Sequence, residues 1–119
     1  MRKLFFLPLF IAILFSCKKH NDDNTSSIVL NDTRWNLHYK NNNTFSFFAE
    51  SELFFKQNKN IDNYRNYDTI SGNWSANNNT ITINFNNGDK YTGTAITNDS
   101  ISGTLTASGN NGTWYAVRK

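Results

Sequence analysis

About two-thirds of the way along the chain, Thr80-Ile81-Thr82-Ile83-Asn84-Phe85 alternates strictly between polar and apolar side chains. A β-strand points successive side chains to opposite faces, so this run puts Ile81, Ile83 and Phe85 on one buried face and leaves the other to water. Asn86-Asn87-Gly88-Asp89 follows at once. Asn-Gly is a strong short-range hairpin signal, because both residues tolerate the positive φ of a tight reversal. The chain is predicted to turn back here and pair with itself.

The same pattern repeats toward the C-terminus. Residues 89–97 read as the next strand, and Asn98-Asp99 as a turn. Ile101, Gly103, Leu105 and Ala107 then share a face. Ser108-Gly109-Asn110-Asn111-Gly112 turns the chain again, into Trp114, Ala116 and Arg118. Upstream, Arg34–Lys40 is a strand with Trp35, Leu37 and Tyr39 on one side, and His38, on the other, is expected to face solvent. Phe45–Lys56 reads as one bent strand or two short ones; a turn of helix around Ala49–Phe55 is the alternative, since Glu50, Ser51 and Glu52 are poor strand residues. Ile61–Tyr67 and Ile70–Ala76 complete the set. The expected fold class is all-β: an up-and-down meander of seven or eight short antiparallel strands over residues 32–119. Closure into a small barrel would remove the exposed edges of a flat sheet.

The first residues follow a different pattern. Arg2 and Lys3 precede an uncharged run from Leu4 to Phe15, and the small Ser16 stands immediately before Cys17. As a helix this run reaches roughly 18 Å, against about 30 Å of bilayer hydrocarbon, so it reads as a secretion signal (1–16) and not as a membrane span. Leu14-Phe15-Ser16-Cys17 resembles the lipobox of bacterial lipoproteins, with Phe15 bulkier than the residue usual at its position. The resemblance implies cleavage between Ser16 and Cys17 and a lipid on the Cys17 thiol, which would anchor the protein in the cell envelope, at the outer membrane. Stable attachment takes more than one acyl chain. Cys17 is the sole cysteine, so no intramolecular disulfide can form.

Residues 17–31 are expected to be the lipidated cysteine and a flexible tether. Within it, Lys18, Lys19, Asp22 and Asp23 resemble the charged signal of surface-exposed Bacteroidetes lipoproteins; a solvated linker is the alternative. Of twelve basic residues, cleavage removes two, leaving ten against nine acidic ones. A mature protein so near neutrality is not expected to bind nucleic acid.

Each tryptophan is third in a similar triplet: Thr33-Arg34-Trp35, Gly72-Asn73-Trp74 and Gly112-Thr113-Trp114. A glycine two before a tryptophan lets a neighbouring backbone pass close while the indole fills the barrel end. With Tyr91-Thr92-Gly93 and Ser102-Gly103-Thr104, these triplets resemble the lipocalin-like domains of small Bacteroidetes lipoproteins. The resemblance implies a calycin-type barrel whose last-strand basic residue packs across the first-strand tryptophan. Here these are Arg118 and Trp35, with Thr33 in place of the usual glycine.

The residues offer catalysis little. His20 lies in the tether, and no Ser-His-Asp pattern, phosphate loop or zinc-ligand cluster is visible. No catalytic residue, metal site or cofactor is assigned. Glu50 and Glu52 share a face and read as solvated. Tyr64-Arg65-Asn66-Tyr67 sets two aromatics and a cation beside a turn, so Tyr64, Arg65 and Tyr67 are the expected contacts of a small apolar or glycan ligand. The expectation is a non-catalytic, monomeric, membrane-anchored binding or accessory protein; the alternative is a protein-interaction module such as a protease inhibitor or complex subunit. A closed barrel whose interior is filled by Trp35, Ile81, Phe85, Leu105 and Trp114 would count against the ligand carrier and favour the module.

Overall fold

The structure, a computed structural model, describes residues 28–42 and 48–119. Residues 1–16, expected to be a signal, with Ser16, Cys17, His20, the Asp22-Asp23 pair, Phe45 and Phe47, lie outside the described residues. Eight strands run in chain order: β1 (Thr33–Asn41), β2 (Ala49–Phe55), β3 (Asn60–Tyr64), β4 (Thr69–Asn77), β5 (Thr80–Phe85), β6 (Lys90–Thr97), β7 (Ser100–Ala107) and β8 (Asn110–Arg118). Each pairs antiparallel with the next, and β8 pairs back onto β1 from Trp35↔Arg118 to Asn41↔Gly112. The sheet is therefore a closed up-and-down barrel, and no strand among these eight is left with an open edge.

Alternation sorts every strand. Trp35, Leu37, Leu53, Phe55, Ile61, Trp74, Ile81, Ile83, Phe85, Tyr91, Ile101, Leu105, Trp114 and Ala116 point inward and are buried. Asn36, Lys40, Glu50, Asn84, Thr92, Thr94 and Thr104 fall on the outer phase. Apolar inside and polar outside is the reverse of a membrane-spanning barrel. Among the described residues no helix is long and apolar enough to cross a membrane.

Three glycines let the strands coil this tightly. A Cβ on Gly72 would lie 2.2 Å from the Asn84 carbonyl oxygen, one on Gly103 1.9 Å from that of Thr92, and one on Gly112 2.1 Å from that of Lys40. These are backbone atoms that cannot step aside.

The barrel's two ends differ. The short connections 56–59, 78–79 and 98–99 cluster at the end where β1 begins and β8 finishes. Ile28 and Leu30 pack into the core there, 6 % and 2 % exposed. Thr33 ties this segment down: its amide and hydroxyl both donate to the Leu30 carbonyl, and its hydroxyl oxygen accepts the Trp35 indole N–H at 2.8 Å. Residues 28–31, assigned by sequence to the tether, therefore plug the barrel, because the apolar Ile28 and Leu30 have a bed of aromatics to enter. The hydroxyl at 33 does work that a glycine there could not.

The irregular N-terminal half also resolves. Residues 49–55 are strand, not helix: Glu50 and Glu52 point outward to His38 and Arg34 while Leu53 and Phe55 fill the core. Cross-strand partners override weak strand propensity. Strand β3 stops at Tyr64 rather than Tyr67, because the Arg65 amide donates to the Asp68 carbonyl at 2.9 Å and closes a turn. His38 does point outward, but it stacks on Tyr115 with ring centroids 4.5 Å apart and its side chain is only 22 % exposed.

The open end of the barrel as candidate functional site

Packing divides the interior. Toward the plugged end, Trp35, Phe55 and Trp74 form an edge-to-face series with centroid spacings of 6.3 and 5.6 Å. Further in, Phe85, Tyr91 and Trp114 form a second series at 5.3 and 5.6 Å. The indole N–H of Trp74 donates to the Lys56 carbonyl, and that of Trp114 is shared between the carbonyls of Thr92 and Thr104. Trp114 does not fill a barrel end. Its ring lies across Gly93, where a Cβ would come within 2.5 Å of it.

Arg118 and Trp35 meet at the plugged end, the guanidinium carbon 4.8 Å from the ring centroid. The same guanidinium donates to the carbonyls of Asn98 and Val29. It joins the last strand, the β6–β7 connection and the plug.

Among the described residues the other end is open. A cavity of ≈ 220 Å³ enters there, bounded by Ile70, Phe85, Leu105 and Ala107 on its apolar side and by Tyr39, Asn63, Arg65, Asp89 and Tyr91 on its polar side. These polar residues sit in the inward phase of their strands or just past the strand ends. Asn63 follows Ile61 by two, Arg65 follows Asn63 by two, and Asp89 precedes Tyr91 by two. Asn63 is only 4 % exposed, and its side-chain oxygen has no hydrogen-bond partner. Ser51 Oγ is likewise buried without a partner, but Ser51 does not line the cavity. Nearly all buried polar atoms in native proteins are satisfied, so an orphan in a cavity wall is a specific feature. Burial also pushes the Tyr91 phenol pKa upward, keeping it neutral.

Of the three residues expected to contact a ligand, the structure brings one to the cavity. Arg65 lines it, and its guanidinium is gripped by both Asp68 oxygens at 2.8 and 2.6 Å. Tyr64 faces outward and donates to Asp62. Tyr67 is fully exposed beside a shallow outer groove that it shares with Arg65, Phe48 and Glu50. Sequence reasoning missed Tyr39, Asn63, Asp89 and Tyr91 as lining groups. The available signal was phase: a polar residue in step with the apolar face of a strand.

A second polar cluster lies on the outer wall. Asp62, 8 % exposed, accepts hydrogen bonds from Lys56 Nζ at 2.8 Å, Ser71 Oγ at 2.7 Å and the Tyr64 hydroxyl at 3.2 Å. Burial alone would raise its pKa, but the hydrogen bonds from Lys56 and Ser71 outweigh that and hold it below the ordinary carboxylate range. The cluster ties β3 to β4 through Ser71 and to the β2–β3 connection through Lys56. Among the described residues no three His, Cys, Asp or Glu side chains converge as a metal site.

Fold and cavity together define a closed up-and-down barrel, plugged at one end and hollow at the other. No protein-family model matches the chain, and no curated protein matches it either.

Proposed function

We propose that this protein is a non-catalytic lipoprotein of the bacterial cell envelope, held at the outer membrane through Cys17, whose lipocalin-like barrel carries one small ligand in its open end. The observation that carries the binding reading is the ≈ 220 Å³ cavity with the orphan oxygen of Asn63 in its wall. The cavity lies below the range of about 300–1,000 Å³ common for drug-sized ligands. It suits a ligand of sugar or single-ring size, not a long acyl chain. The titratable groups around it are Arg65, Asp89 and two phenols, a set suited to recognition and without an activated nucleophile. Anchoring rests on the signal and the lipobox-like Leu14–Cys17.

The second reading, an interaction module, draws on the packing. Trp35, Ile81, Phe85, Leu105 and Trp114 are all buried and fill most of the interior. Native mass spectrometry of the delipidated protein, purified from its host, separates the two. A bound small molecule is expected, and the mass of the bare polypeptide in every preparation would overturn the ligand-binding reading.

A further inference from the structure

Building on that reading of the open end, we propose that its ligand is a small primary amine. Its ammonium group sits at Asp89, and its apolar body packs among Phe85, Tyr91, Ile70 and Leu105.

The argument is one of missing donors. The one cation of the cavity wall, Arg65, is already paired in two-pronged fashion with Asp68. Asp89 has no ion-pair partner among the described residues; it accepts only an amide hydrogen bond, at 3.1 Å, from Asn87 in its own turn. With Arg65 set against Asp68, Asp89 leaves one excess negative charge among the described residues of the cavity lining. Asn63, another residue of the cavity lining, has a buried side-chain oxygen that finds no donor among the described residues. A ligand that brings a positive charge and N–H donors completes Asp89. An anionic ligand would face Asp89 with like charge and would have to displace Asp68 from Arg65.

The carboxylate is also held in place. The Asp89 amide donates to the Asn87 side-chain oxygen at 3.0 Å, and Gly88 takes the positive φ of 98° that this turn needs. Asp89 thus sits on a fixed hairpin in the inward phase, not on a loose loop. Tyr39, Phe85 and Tyr91 line the same cavity, and aromatic quadrupoles attract an ammonium group.

Phenethylamine, 2-phenylethanol and 3-phenylpropionate share a ring and a two-carbon arm and differ in charge. They can be titrated into the full mature protein in detergent, read by Trp114 fluorescence and by amide shifts of the cavity wall. The amine should bind at least tenfold tighter than the other two. Asp89→Asn should weaken it about tenfold, far more than it weakens 2-phenylethanol, with urea unfolding of the variant confirming an intact barrel. Equal binding of all three, an unaltered amine affinity in Asp89→Asn, or no binding of any probe at millimolar concentration would each overturn the amine assignment. The ligand-binding reading is judged apart, by what co-purifies. A neutral or acidic small molecule would refute the amine and leave binding intact, whereas a bare barrel that also ignores all three probes refutes both.

Discussion

The guanidinium of Arg118 lies over the indole of Trp35, 4.8 Å from its centroid, where the last strand of the barrel meets the first. Its remaining donors reach Asn98 and Val29 at 2.8 to 3.0 Å. One planar cation therefore ties together three parts of the chain that are remote in sequence. Arg118→Ala should lower stability by about 1–3 kcal/mol, measured by urea unfolding. Arg118→Lys should recover only part of it, since an ammonium cannot lie flat on the ring and serve both carbonyls.

Leu30 lies in a stretch that reads as linker, yet it is 2 % exposed. Leu30→Ala should cost about 2–4 kcal/mol, as for a core leucine, whereas Val29→Ala, at a site 69 % exposed, should be nearly silent. Equal, small effects at both positions would show that the plug does not contribute to the fold.

Asp62 supplies a pH dependence. Its pKa is lowered on folding, so its contribution to stability is complete above the ordinary carboxylate range and is lost as pH falls through the depressed folded value. Asp62→Asn should therefore destabilise by about 1–2 kcal/mol at neutral pH. The gap between variant and wild type should narrow as the pH drops below about 4, where the unfolded carboxyl protonates first. Denaturant midpoints across pH 2–8 would trace that convergence.

Gly93 and Gly103 make a contrast between side-chain and backbone obstruction. Alanine at 103 meets the Thr92 carbonyl and the Gly93 backbone and should cost about 3 kcal/mol or prevent folding. Alanine at 93 meets chiefly the Trp114 ring, so it should shift the tryptophan emission as that ring moves off its two carbonyls.

For the anchor, Cys17→Ser should abolish labelling by a radioactive fatty acid and release the protein from the membrane fraction. Unchanged membrane retention would refute a lipid at Cys17.

Much of the fold was legible because side-chain alternation is a local property of the strand. Ile81, Ile83 and Phe85 announce their face without reference to any partner, and Gly88 and Gly109 mark their turns through positive φ. The region around Glu50 and Glu52 was ambiguous for the opposite reason. What makes it strand is His38 and Arg34 on the neighbouring strand, which local propensity cannot sense. Of the cavity lining, sequence reasoning picked out only Arg65 as a ligand contact. Tyr64 and Tyr67 looked equivalent beside it, but the turn closed by Arg65 and Asp68 sends one to the outer wall and the other to the rim.

By itself, then, the sequence determined the strand class, nearly every reversal and the set of apolar residues that had to be enclosed, because each follows from backbone geometry over a few residues. Tertiary structure alone decided that Ile28 and Leu30 seal one end, that Arg65 spends its charge on Asp68 while Asp89 keeps its own, and that the Asn63 side-chain oxygen is buried without a partner among the described residues. These depend on which side chains a closed barrel brings together from distant strands. Which charge finds a partner is settled only by distance, and distance across a barrel is written nowhere in the local pattern.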